Sequence, residues 1–283
     1  MGAGTLPAPR LSIRVLATIA VGGGAITLIG SVLPWVSIFR GTQTLTAWDG
    51  APRYLAGFAL ASAALTLLFV ASGRPAALRR LAVFLGLIAL AGIGFEGLQA
   101  VSLTSSRSTS MAILGPSLGP GPLVMAVGAA LLIAVAAIPA SGARVESGTW
   151  VRIIMAGALL TSGWIHLALT REHLQASSVL GGGFLIAALA QILLASLILV
   201  RPTDLAYYAA IGLSTGLIVV YAVAVFHGLP FGDGHDQVQG FKIGSGEPVD
   251  LNGVVGKLSE LLTVAVAFAL IGRRAGEVNA TRC

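Results

Sequence analysis

Stretches of about twenty apolar residues recur along this chain, separated by short polar or Pro- and Gly-bearing breaks. No other feature limits the possible folds as strongly. A run of that length spans the bilayer hydrocarbon as a helix, which satisfies its own backbone hydrogen bonds where lipid cannot. About eight such segments are predicted, at 12–33, 53–72, 81–103, 122–140, 151–172, 178–200, 205–227 and 252–271. The expected fold class is therefore an all-α integral membrane protein with about eight transmembrane helices. Residues 141–148, rich in Gly, Ser, Arg and Glu, divide it into two four-helix halves, 1–143 and 144–283.

Composition excludes the soluble alternative: 56% of the residues are hydrophobic and 10% charged, with a mean hydropathy of +0.91. The formal charge of +6 would suggest nucleic acid if it clustered in a soluble domain, but the basic residues are scattered between apolar runs, so no nucleic-acid partner is expected. A lone Cys283 supplies neither an internal disulfide nor a thiolate metal cluster. The run at 15–33 is long and lacks a small-residue cleavage site, and reads as an uncleaved first span.

Basic residues are retained on the cytoplasmic side of membrane helices. Placing both termini in the cytoplasm puts Arg10, Arg14, Arg74, Arg79, Arg80, Arg144, Arg152, Arg201, Arg273, Arg274 and Arg282 inside. The outer side then holds Arg40, Arg53, Arg107, Arg171, Lys242 and Lys257. Trp35, Trp150, Tyr207 and Tyr208 fall near span ends, where aromatic belts form. Gly212 with Gly216 and Ala20 with Gly24 give small-residue helix faces, expected to pack within the bundle, with a homo-oligomer interface as the alternative.

Ionisable groups inside lipid are costly, so the few present are the most informative. They are Glu96, His166 and Glu260, with His173 and His227 near the predicted outer mouth. Ser162, His166, Thr170 and His173 form one stripe at helical spacing, and Asn252, Gly256, Ser259 or Glu260, and Thr263 form another, so a pocket between the fifth and eighth spans is expected. The two histidines lie roughly 10 Å apart along their helix, too far to chelate one small ion alone. Imidazole with carboxylate suits a transition-metal ion, giving a candidate metal set of His166, His173, His227 and Glu260. The same groups suit a proton relay, or simple hydrogen bonding within the bundle. The outer loop at 228–253 carries Asp233, His235, Asp236, Glu247 and Asp250, and reads as solvated.

Apparent enzyme motifs do not survive inspection. Residues 212–216 match GxSxG inside an apolar helix, without the strand and sharp turn that a nucleophile elbow needs. Residues 253–257 lack the glycine spacing of a phosphate-binding loop, and Leu258 stands where Ser or Thr would be required. The chain is not expected to be an enzyme.

Leu33-Pro34-Trp35 at the end of the first span, Trp48-Asp49-Gly50, and Arg79-Arg80 in an inner turn make the first half resemble the Trp-associated membrane proteins. The second half, with His166, Glu172, His173, Gly183-Phe184, Gln191 and residues 228–232, is similar to actinobacterial multi-pass proteins. These resemblances imply a multi-pass topology in a bacterial plasma membrane and no activity. The functional expectation from the residues is a cation, metal or proton, bound or passed at an outward-facing His/Glu site. An accessory subunit docked on another membrane protein, or a small-solute carrier, is the alternative.

Overall fold

The computed structural model describes residues 13–39, 43–46, 75–105, 117–137, 148–230 and 243–280. In chain order its elements are α1 (Ile13–Val32), β1 (Pro34–Ile38), β2 (Gln43–Thr46), α2 (Pro75–Ser105), β3 (Ser117–Leu118), α3 (Gly121–Ala137), α4 (Thr149–Ala176), α5 (Ser178–Val200), α6 (Asp204–His227) and α7 (Leu251–Ala280).

Among the described residues, six helices are long and apolar enough to cross a membrane: α1, α2, α4, α5, α6 and α7. Helix α3 has 17 residues, about 25 Å of helix against a hydrocarbon core of about 30 Å. The predicted span at 53–72 lies outside the described residues. The polarity of the helices is inverted relative to a water-soluble protein: Leu193 is 60% and Leu205 78% exposed, while Gln191 and Glu260 are 0% exposed. Such a surface suits lipid, which has no penalty for leucine and a large one for charge.

The chain divides into two compact units, residues 1–90 with 106–146, and residues 91–105 with 147–283. In the first, α1 packs along α3 through small residues. A Cβ added to Gly23 would lie 3.0 Å from the Gly128 carbonyl oxygen, and one added to Gly86 of α2 would lie 2.7 Å from that of Ala129. Without side chains at these points the backbones approach closely, and dispersion contacts replace the hydrophobic drive that lipid removes. Leu16, Ala20, Ala82, Leu85, Leu132 and Val135 form the core around this contact. The Thr27 hydroxyl donates to the Gly23 carbonyl at 2.8 Å, satisfying itself within its own helix. Near the end of α3, the Val135 carbonyl accepts from Arg79 Nε at 3.3 Å.

An all-α fold needs correction here. Beyond α1 the chain forms a three-stranded antiparallel sheet ordered β2-β1-β3. Val36 pairs with Leu45, Ser37 with Thr44 and Ile38 with Gln43, while Val36 also faces Leu118. The extended segments carry Val36, Ile38, Thr44 and Thr46, whose β-branched side chains suit a strand. Pairing satisfies backbone groups that would otherwise face a poorly hydrated interface. Trp35, expected in an aromatic belt, is 3% exposed. Its indole N–H donates to the Gly30 carbonyl at 3.1 Å, folding the strand entry back onto α1.

The second unit is built around α4, which packs on α5 and α7, with α6 packed on α7 and α5. The α4–α5 and α5–α6 turns are short and capped. The Ser177 hydroxyl accepts from Leu180 N–H at 3.4 Å at the start of α5, and that of Thr203 accepts from Ala206 N–H at 3.2 Å at the start of α6. Arg274 of α7 bridges to Asp204 at 2.7 Å, donates to the Pro202 carbonyl at 3.1 Å and lies over the ring of Tyr207. Tyr207 is thereby buried, whereas Trp150 and Tyr208 remain exposed as belt residues would be.

At Gly212 and Gly216 of α6 an added Cβ would meet nothing within 4 Å among the described residues. The buried face of α6 carries Ala206, Ala210 and Ser214, and at 100° per residue Gly212 sits about 200° round from Ala210.

The α1–α3 contact yields a stability test. Gly128→Leu should force these helices apart and lower the stability of purified protein by about 1–3 kcal/mol, the usual cost of overpacking. Gly212→Leu should be near neutral. Thermal unfolding in detergent, followed by intrinsic fluorescence, checks both.

Candidate functional site

Polar side chains from three helices of the second unit converge within the bundle. Ser162 and His166 come from α4, Gln191 from α5, and Lys257 and Glu260 from α7. Glu260 is 0% exposed, and both of its carboxylate oxygens are engaged. Oε1 accepts from the Ser162 hydroxyl at 2.8 Å, and Oε2 pairs with the Lys257 ammonium at 2.6 Å. The Ser162 hydroxyl also accepts from Gln191 Nε2 at 2.9 Å. Three helices are thus tied by one continuous chain of donors and acceptors. Such a chain is favourable in an apolar surround when its members are satisfied, and Gln191 Oε1 is the buried member left without a hydrogen-bond partner among the described residues.

Lys257 is held from two further directions. Its ammonium donates to the Leu217 carbonyl of α6 at 3.3 Å and lies 5.2 Å from the centre of the Tyr221 ring. The i,i+3 spacing of Lys257 and Glu260 makes them neighbours on one face of α7. Gly256, beside them, is buried, and a Cβ there would approach Ile165 of α4 at 3.8 Å.

Above this network lies a cavity of about 250 Å³, lined by Ile165, His166, Leu169, Glu172 and His173 of α4, Phe184 of α5, Tyr221 of α6, Asn252, Gly253, Gly256 and Lys257 of α7, and the Glu247, Pro248 and Asp250 stretch before α7. Both histidines are almost buried, at 8% and 7% exposure for His166 and His173. Each donates Nδ1–H to a backbone carbonyl one turn back, His166 to Ser162 at 2.9 Å and His173 to Leu169 at 2.9 Å. A carbonyl can only accept, so each neutral ring carries its proton on Nδ1 and keeps Nε2 as an acceptor. Phe184 stands against both imidazoles, stacked on His173 at 3.8 Å and tilted 5.2 Å from His166.

The segment at 243–250 is anchored rather than merely solvated, as the loop was expected to be. Helix α6 ends at Gly228, whose φ of +79° is readily adopted only by glycine. The terminal carbonyls of α6 are capped from the loop: Ala224 accepts from Glu247 N–H at 3.0 Å, Val225 from Gly246 N–H at 3.2 Å and Phe226 from Ser245 N–H at 3.3 Å. The Ser245 hydroxyl adds a bond to the Phe226 carbonyl at 2.8 Å. A few residues on, Asp250 Oδ1 accepts from Gly253 N–H at 2.8 Å and caps α7. Two helix ends therefore fix this segment and hold Glu247 and Asp250 in the cavity wall. His235, Asp233 and Asp236 lie outside the described residues.

Of the four residues expected to form a metal set, two line the cavity, His166 and His173. Glu260 does not line it and meets it only through its ion pair with Lys257, which does. His227 is the exposed last residue of α6 and does not line the cavity. Glu96 of α2 is buried, at 8% exposure, and is likewise not in the lining. Among the described residues no three His, Cys, Asp or Glu side chains converge in a way that could hold a metal ion. The stripes on α4 and α7 do meet, through Ser162 and Glu260. Lys257, Tyr221, Gln191 and Phe184 belong to this network and cavity lining and were not assigned to a site from the sequence. The i,i+3 pairing of Lys257 with Glu260 was the signal available for the first of them. No protein-family model, curated protein or solved structure matches the chain.

The buried pair yields a double-variant test. Lys257→Met leaves the Glu260 carboxylate without its counter-charge and should cost about 3–5 kcal/mol, the scale for breaking a buried ion pair. Adding Glu260→Gln should restore most of that loss, because a neutral amide no longer needs the ammonium. Thermal unfolding of the two variants in one detergent measures the difference.

Proposed function

We propose that this chain is a multi-pass membrane protein whose second unit binds a cation in the cavity and exchanges a proton with the network beneath it. The observation that carries the reading is the Lys257–Glu260 pair at 2.6 Å, with Glu260 fully buried and Lys257 in the cavity wall. A buried ion pair is a poor device for stability alone, because an apolar pair of similar volume holds a bundle at least as well. In membrane helices such groups characteristically serve ion or proton movement. The groups facing Glu260 are Lys257 on its own helix, Ser162 of α4 and, through that hydroxyl, Gln191 of α5. His166 lies one turn from Ser162 on the cavity side. Lys257, in the cavity wall and donating to Glu260 Oε2, links the cavity to the buried carboxylate.

A proton or a protonated solute is favoured over a transition metal for two reasons. Both oxygens of Glu260 are already engaged, and the two imidazoles each lie against Phe184 rather than facing a shared point. We place the protein in a bacterial plasma membrane, with about eight spans, both termini cytoplasmic and the cavity opening outward. The concentration of arginine at the opposite helix ends, in Arg152, Arg201, Arg273 and Arg274, supports that orientation.

Two measurements test the proposal. In proteoliposomes holding a pH-sensitive dye under an imposed membrane potential, wild-type protein should admit protons, and Glu260→Gln should reduce entry to that of protein-free vesicles. Wild-type flux no greater than that of empty vesicles would overturn the reading. With Cys283→Ser as background, a cysteine at Ser245 should react with an impermeant maleimide on intact cells, and one at Arg201 only after permeabilisation. The reverse pattern would invert the topology.

A further inference from the structure

The cavity wall is divided in a way that specifies more than a charge. Its α4 and α5 side presents Ile165, Leu169 and Phe184, while the segment before α7 presents Glu247 and Asp250. Among the described lining residues the lysine is paired with Glu260, so Glu247 and Asp250 leave negative formal charge on that side. An anion would be repelled. A bare metal ion would have no use for the apolar wall and, among the described residues, no cluster of ligands to hold it. His166 offers an acceptor through Nε2, since its Nδ1–H is committed to the Ser162 carbonyl. Tyr221, in the same wall, has a buried hydroxyl with no hydrogen-bond partner among the described residues.

We propose that the cavity takes a small organic ammonium, a cation with an alkyl or aryl body. Its charged nitrogen would lie toward Glu247 and Asp250, and its body against Ile165, Leu169 and Phe184. The inference rests on the cation reading above and names the class of solute that this reading leaves open. Binding needs no bond to form or break: a protonated amine donates N–H hydrogen bonds to carboxylates and to imidazole Nε2, and its carbon skeleton exchanges water for the apolar wall. A cavity of about 250 Å³ has room for a body of phenylethyl size, and the capping of α6 and α7 holds the carboxylates in place before the ligand arrives. Such preorganisation raises affinity by removing an ordering cost.

The experiment uses the full-length protein in nanodiscs and two probes of matched shape and opposite charge, 2-phenylethylammonium and 3-phenylpropionate, titrated calorimetrically. The ammonium should bind saturably at one site per chain and the carboxylate should not. The double variant Glu247→Gln, Asp250→Asn keeps an oxygen at position 250 to cap α7, and should weaken ammonium binding by at least about tenfold, or about 1.4 kcal/mol. Its melting temperature should equal that of wild type. A Phe184→Ala variant checks the apolar wall separately: it should lower affinity for 2-phenylethylammonium more than for methylammonium. Equal binding of the two matched probes, or undiminished ammonium binding by a folded double variant, would overturn the inference. If protons enter vesicles in a Glu260-dependent manner while no ammonium binds, the solute assignment falls and the cation reading stands. If ammonium binds and no proton flux occurs, the proton step falls and the site stands.

Discussion

A carboxylate with no solvent exposure, inside helices whose outer surface is leucine, valine and phenylalanine, has to be neutralised from within the bundle. Glu260 is met in two directions, by the Ser162 hydroxyl and by the Lys257 ammonium, and each of these is held in turn. The arrangement fixes α4, α5, α6 and α7 relative to one another at one level. Dispersion alone does not specify a rotation of one apolar helix on another in lipid, whereas a hydrogen bond between Ser162 and Glu260 does. The packing of the second unit and the chemistry of its cavity thus follow from one requirement.

The first unit solves its packing differently. There, Gly23, Gly86 and Gly128 remove side chains so that backbones come together, and the buried hydroxyl of Thr27 bonds to its own helix. Close approach carries the α1–α3 contact, with a polar link from Arg79 to the Val135 carbonyl beside it. The contrast between a unit held by small residues and one tied by a polar network is the structural basis for assigning the chemistry to the second.

Much of the candidate site was legible because polar residues are so scarce in the apolar segments. Ser162, His166, Thr170 and His173 share a face by helical period, and Glu260 is conspicuous in an apolar run. Lys257 was not legible in the same way. Near a span end it reads as a charge flanking the membrane, and only the fold shows its ammonium turned onto Glu260. Phe184 and Gln191 belong to types that occur in any membrane helix, and what distinguishes them is where α5 places them against α4. His227 shows the opposite error: a titratable residue near the mouth that the end of α6 leaves exposed and outside the cavity.

Sequence by itself determined the class of the molecule, since runs of apolar residues this long have no other stable solvent than lipid and no other stable backbone there than a helix. It also determined which helix faces carry polarity, because the period of 3.6 residues is a property of the chain. Tertiary structure alone decided the small sheet at β1, β2 and β3 and the burial of Trp35 and Tyr207. It alone decided the joining of Glu260 on α7 to Ser162 on α4 and, through that hydroxyl, to Gln191 on α5. Each depends on which neighbour satisfies a hydrogen bond or fills a space, and such pairings between residues far apart in the chain leave no periodic trace in the order of amino acids.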